Sequence, residues 1–125
     1  MARATRYDKE LYSSLIRLHL LHHAADEGVF GLGMIEELGR HGYKLSPGTL
    51  YPLLHRLEEQ GFLRSHQEKV GGKIRRVYLA TTAGRKALTA AKGKIKELFG
   101  EISKSQPPQP KLERPGRNVA ERGAK

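Results

Sequence analysis

The chain contains no cysteine. That excludes a disulfide framework, a thiolate metal site and a cysteine nucleophile, and it permits a reducing compartment. Tryptophan is also absent, and the aromatic complement is five Tyr and three Phe, so no ligand can be stacked between indoles. No apolar run approaches the roughly 20 residues that cross a bilayer. The opening residues, Met1-Ala2-Arg3-Ala4-Thr5-Arg6, lack the apolar core of a signal peptide. The expectation is a soluble, cytoplasmic protein with no membrane partner.

Catalytic patterns are missing as well. Glu36-Glu37 and Glu58-Glu59 are adjacent pairs, whose side chains point about 100° apart on a helix and cannot share a site. Gly28, Gly31 and Gly33 are not followed by the Gly-Lys-Ser/Thr of a phosphate-binding loop; they serve a turn. His19, His22 and His23, with Glu27 a turn further on, have metal-like spacing. Beside Leu20 and Leu21 they read better as packed or subunit-facing groups. No enzyme, metal or cofactor is expected.

What the chain does have is positive charge. Lys and Arg number 23 against 13 Asp and Glu, a net charge of +10. Residues 1–45 carry equal numbers of each sign, so the whole excess lies from Ser46 onward. Such a field favours a polyanion, either nucleic acid or an anionic membrane surface. A chain of 125 residues has room for one small domain and a tail, and a domain of that size buries little surface by itself. Dimerisation would relieve the deficit.

The organising stretch is Leu45 to Leu63. Ser46 before Pro47 is a helix-start signal, a hydroxyl cap followed by a ring with helical φ. Leu50, Leu53, Leu54 and Leu57 follow at i, i+3, i+4, i+7 and form one buried stripe. Gly61 ends the helix. Gly48, Pro52 and His55 lie on the opposite wall, flanked by Thr49, Tyr51 and Arg56, a small polar face able to enter a groove. Pro52 breaks a local rule, because it removes the bond to the Gly48 carbonyl at a cost of roughly 3 kcal/mol in an ordinary helix. Either the helix kinks there or its first turn is held from outside.

Before this helix, Asp8 to Ala25 reads as a first helix with Leu11, Leu15, Leu18, Leu21 and Ala25 on its buried face, widened by Ile16 and Leu20. Val29 to Gly33 reads as a short loop. Met34 to Arg40 reads as a second helix burying Ile35 and Leu38. Helix, turn, helix is a helix-turn-helix, with the Ser46 helix in the recognition position. After Gly61 the period changes, and two strands flank Gly71-Gly72, a strong signal for a two-residue hairpin with positive φ at both positions. Lys73, Arg75 and Arg76 crowd this hairpin, which makes it the wing. If the strand alternates, one of the two arginines faces inward or sideways.

Thr81 or Thr82 caps a last helix running to about Lys104. Its residues Leu88, Ala91, Ile95, Leu98 and Ile102 step by 3, 4, 3, 4, the spacing of a helix that packs on another helix. They are the expected dimerisation seam. From Ser105 on, Pro, Gly and charge leave too little apolar surface to fold, so residues 105–125 are expected to be a disordered basic tail. The expected organisation is residues 1–80 as DNA-binding domain, 81–104 as dimerisation helix, then the tail. Tyr51, His55 and Arg56 would reach bases or phosphates in the major groove, and Ser46, Thr49 and the Gly48 backbone would meet phosphate at the helix N-terminus. Lys73, Arg75 and Arg76 would lie over the flanking minor groove or backbone.

Leu45-Ser46-Pro47-Gly48-Thr49-Leu50-Tyr51-Pro52-Leu53-Leu54, Arg56-Leu57-Glu58, Gly71-Gly72-Lys73 with Arg75-Arg76, and Thr82-Ala83-Gly84 together resemble the PadR family of winged-helix transcriptional regulators. The resemblance runs from about Leu11 to Leu88. It implies a dimeric repressor whose two recognition helices address a palindromic operator, with DNA contacts from Ser46, Thr49, Tyr51 and Pro52 and wing contacts from Lys73 and Arg75. The single last helix resembles the short subfamily, some members of which release DNA when an aromatic or drug-like effector enters the dimer interface. Two positions depart from the pattern: Phe30-Gly31-Leu32 stands where the family often has His-Gly-Tyr, and Ile74 stands where a Pro often follows the basic wing residue.

The expected fold is mainly α with a small β-hairpin (α+β), a winged helix-turn-helix with a C-terminal dimerisation helix. The expected function is sequence-specific regulation of transcription by a homodimer on double-stranded DNA. The alternatives are a non-specific architectural DNA binder and a winged helix used only for protein interaction.

Overall fold

A computed structural model describes residues 10–105. In chain order it contains α1 (Ser13–Asp26), α2 (Gly31–Arg40), α3 (Pro47–Glu59), β1 (Leu63–Val70), β2 (Lys73–Ala80) and α4 (Thr82–Lys104). The two strands pair antiparallel from Leu63↔Ala80 to Val70↔Lys73. Gly71 and Gly72 close them with φ of 58° and 79°, a turn that L side chains resist and glycine accepts. This is an α+β winged helix-turn-helix. Among the described residues no helix is long and apolar enough to cross a membrane.

The compact unit through Lys94 has one core. Leu20, Leu38, Leu50 and Leu54 are fully buried at its centre, and Leu63, Tyr78 and Ala80 from the base of the hairpin close it. Leu54 and Leu57 of α3 fulfil the expected stripe with Leu50, while Leu53 packs half-buried at its edge. The remaining unit begins at Ile95 and holds the last turns of α4, where Ile95, Leu98, Phe99 and Ile102 are exposed.

Helix α1 buries only one side of the broad face expected. Ile16, Leu20 and Leu21 point into the core as expected, joined by Ala24, whereas Leu11 and Leu15 are 62% and 43% exposed. Leucines on nearly every side make the helix ambiguous, and its neighbours choose the buried side. The second helix also starts earlier than expected, at Gly31. Before it, Val29 is a bridge to the free edge of β2 rather than a plain loop: its N–H donates to the Tyr78 carbonyl at 2.9 Å, and the Tyr78 N–H donates back at 2.7 Å.

Ser46 stands at the N-cap of α3 with extended backbone, but its hydroxyl caps no backbone group. It donates to the Thr49 hydroxyl at 3.3 Å instead, and the Ser46 carbonyl accepts the first helical bonds. Helix α3 continues through Pro52. Its first turn is held from outside by Leu50, fully buried in the core, and Tyr51 beside it lies against Gly31 of α2. Helix α4 is capped by Thr81, whose hydroxyl accepts the Gly84 N–H at 3.0 Å and donates to the Gly61 carbonyl at 2.6 Å. One side chain thereby ties the end of the α3 turn to the start of α4.

Candidate nucleic-acid interface

Burial of Leu50, Leu54 and Leu57 turns the opposite wall of α3 outward. Ser46, Gly48, Pro52, His55 and Arg56 are exposed, and Thr49 is half-buried. The exposed wall carries one cation, Arg56, and the N-terminal N–H groups of the helix, whose dipole favours an anion. Glu59, also exposed, marks the far end of this wall and sets a like-charge limit on how far a polyanion can lie along it.

Tyr51 is less free than the sequence suggested. Its ring occupies the space where a side chain on Gly31 would project, with Cε1 at 2.8 Å from the position of such a Cβ. The ring also neighbours His55, centroid to centroid 6.3 Å. The Tyr51 ring therefore sits in a socket rather than on open surface.

The three wing cations differ in the same way. Lys73 is exposed. The Arg75 guanidinium lies over the Phe30 ring, 3.8 Å from its centroid, and its buried Nε has no hydrogen-bond partner among the described residues. Arg76 donates to the Ser65 hydroxyl at 3.0 Å, and Ser65 donates to Glu58 at 2.8 Å. That chain links β2, β1 and α3, and the Glu58 carboxylate tempers the charge that Arg76 offers outside. Strict alternation did foretell that Arg75 or Arg76 would turn sideways, and Arg75 does. Two cations of β1, Arg64 and Lys69, are also exposed; the register puts Arg64 on the hairpin face of Lys73 and Arg75 and Lys69 on the other, and only their charge marked them in the sequence.

Of the seam residues, Leu88 packs half-buried against the domain's own core and Ala91 is half-buried. Ile95, Leu98 and Ile102 are exposed, and the row gains Phe99, 69% exposed, which the heptad count passed over because it falls one residue beyond Leu98.

The histidines form a seam between α1 and α2. His19 packs against His41 and Tyr43 at centroid distances of 5.1 and 5.5 Å. His23 and His41 converge on Glu37, at 3.7 and 3.2 Å. Burial first, then His41, His23 and His22, hold the His19 imidazole below its usual range. The Arg40 bond, supported by His41, holds the Glu37 carboxyl below the usual carboxylate range. Among the described residues no group of three or more such side chains is placed to hold a metal ion. Elsewhere, an open and mostly apolar cleft of about 210 Å³ lies between α1, the end of α3 and the start of α4, walled by Leu18, Leu21, Leu57 and Phe62 with Arg17 among its lining residues.

Comparison with known proteins agrees with this geometry. The sequence profile of the Transcriptional regulator PadR-like family matches residues 20–90. The chain is 54% identical over 94 residues to Transcriptional regulator Rv3488 of Mycobacterium tuberculosis, covering 75% of this chain and 88% of that one. A PadR family transcriptional regulator from Eggerthella lenta superimposes with a TM-score of 0.69 at 28% identity, covering 82% of this chain and 91% of that one. A PadR-like transcription factor from Bacteroides fragilis gives 0.66 at 22% identity over 78% and 96% of the two chains, a likeness of fold.

Proposed function

This chain belongs to the Transcriptional regulator PadR-like family and is a transcriptional regulator, not an enzyme; from that premise we propose that it is a sequence-specific repressor, acting in the cytoplasm as a homodimer on a palindromic operator. The observation that carries the reading is the outward wall of α3, with Ser46, Gly48, Pro52, His55 and Arg56 exposed over a fully buried Leu50 and Leu54. A helix so anchored presents few side chains for reading bases, while Lys73 and Arg64, exposed on one face of the hairpin, supply phosphate contacts that set register.

Two apolar rows support the homodimer. Leu11 and Leu15 lie on the outer side of the N-terminal helical segment, and Ile95, Leu98, Phe99 and Ile102 lie at i, i+3, i+4, i+7 on α4, all of them exposed. A row of that spacing is what a second helix covers. The two-fold axis of such a dimer would place two copies of α3 on two half-sites, and the interface between the two copies is where a small aromatic effector would enter. Residues 105–125, proposed as a basic tail, fall outside the described residues from Gln106 on.

The test is binding to the DNA upstream of the protein's own gene against a scrambled duplex, at physiological salt. The wild type should prefer its own upstream DNA by about a thousandfold, the lower end of specific recognition. Arg56→Ala should weaken that binding by about tenfold or more, the cost of one good base or phosphate contact. Sedimentation should show a dimer that Leu98→Glu converts to a folded monomer. Equal binding of both duplexes would identify an architectural binder instead, and no binding to either would identify a protein-interaction module.

A further inference from the structure

Two consecutive residues at the start of α2 touch both parts of the surface that addresses DNA. Gly28, at φ 80°, turns the chain so that Val29 pairs with Tyr78 on the edge of β2. Phe30 follows at the N-cap of α2 with extended backbone, φ −125° and ψ 157°, which sends its side chain back over the hairpin. There its ring carries the Arg75 guanidinium at 3.8 Å. The far edge of the ring rests against Gly33, where a Cβ would come within 3.1 Å of Cζ. Gly31 comes next. It has no side chain, and the Tyr51 ring fills the vacancy.

We propose that Phe30 and Gly31 are positioning residues for DNA recognition: Phe30 sets Arg75 of the wing, Gly31 sets Tyr51 of the recognition helix, and the first turn of α2 thereby presents wing and helix as one rigid unit. The inference rests on the DNA-binding reading and goes beyond it. Neither residue need touch DNA. The physical reason is preorganisation. An arginine stacked on an aromatic face and a tyrosine wedged into a glycine socket have their rotamers chosen before DNA arrives, so less ordering is paid on binding. Two features make the assignment specific to these side chains. The buried Arg75 Nε has no hydrogen-bond partner among the described residues, so the Phe30 face is what holds the guanidinium. The obstacle to a side chain at Gly31 is the far end of a Tyr, not backbone, so Gly31→Ala should displace Tyr51 and leave the fold intact.

A double-mutant cycle with a spectroscopic readout tests this. In the free wild-type protein, proton NMR should show Arg75 side-chain protons shifted by the Phe30 ring current, and Phe30→Leu should abolish that shift. Gly31→Ala should move the Tyr51 ring resonances. Each variant should lose three- to tenfold in affinity for the upstream DNA, about the ordering cost of one side chain, with thermal midpoints close to wild type. In an Arg75→Ala background Phe30→Leu should have no further effect, and in a Tyr51→Ala background Gly31→Ala should have none. Effects that persist in full in those backgrounds overturn the proposal, as do variants whose Arg75 and Tyr51 resonances stay unchanged. Should Gly31→Ala fail to fold, the freedom assigned to Tyr51 is wrong and the Gly31 half is overturned, while the Phe30 half is decided by Phe30→Leu alone. A wild type that does not discriminate between duplexes overturns the DNA reading, whereas the resonances still judge the positioning.

Discussion

Single residues decide how closely the pieces of this domain approach one another. Gly84 and Gly31 make the point by contrast. A Cβ on Gly84 would collide with the backbone carbonyl of Phe62 and come within 3.2 Å of Leu21, and neither a carbonyl at the end of the α3 turn nor a core leucine can step aside. Gly84→Ala should therefore destabilise by about 1–3 kcal/mol, the range for overpacking a tight contact, read as a lower urea midpoint at unchanged slope. At Gly31 the neighbour is the end of a tyrosine, and the same substitution should spare stability. The sequence marked both positions as glycine without distinguishing them, because what lies opposite each comes from a distant part of the chain. Pro52 was legible as an anomaly, and the burial of Leu50 that anchors its turn in the core was not. Ser46 marked the helix start correctly, although its hydroxyl bonds Thr49 and leaves the backbone uncapped.

Between elements, the α1–α2 seam carries a pH dependence. His19 is flanked on its own helix by His22 and His23, and from α2 and the turn after it by Glu37, His41 and Tyr43, with Arg40 bonded to Glu37. Its folded pKa lies below the ordinary 6.5 because burial and neighbouring imidazoles oppose its charge. The sign follows directly: the unfolded chain takes up the proton first, so His19 contributes stability that is present above pH 6.5 and lost as pH falls through the lower folded value. His19→Gln should flatten that limb of a melting-temperature profile, which begins as pH falls below the ordinary 6.5. Glu37, held down by Arg40 and His41, adds a separate loss below its ordinary 4.5, which His19→Gln leaves in place. The i, i+3, i+4 spacing of the histidines was visible in the sequence. That His41, from beyond α2, completes the group was not, since the first two helices had to be packed before it could be placed.

For the whole molecule, charge and patterning set the class while packing sets the details. The net +10 predicts that DNA affinity falls steeply with salt, log K against log salt having a slope of about −0.9 per phosphate contacted. Lys73→Ala, which removes an exposed wing cation, should lower the magnitude of that slope by about one and weaken specific and random DNA alike. A slope unchanged by Lys73→Ala would take the wing tip out of the phosphate contacts. The sequence by itself determined the element order, the buried stripe of α3, the glycine hairpin and the family, because these rest on local periodicity, turn chemistry and an uninterrupted motif. Tertiary structure alone decided which face of α1 is buried, since a helix with leucines on several sides takes its orientation from its neighbours. It also decided that Val29 joins the sheet, that Leu88 packs on its own core, and that Arg75 and Tyr51 are held by Phe30 and Gly31. The contacts of Val29, Arg75 and Tyr51 join residues 49, 45 and 20 positions apart, and no local rule reaches across that distance.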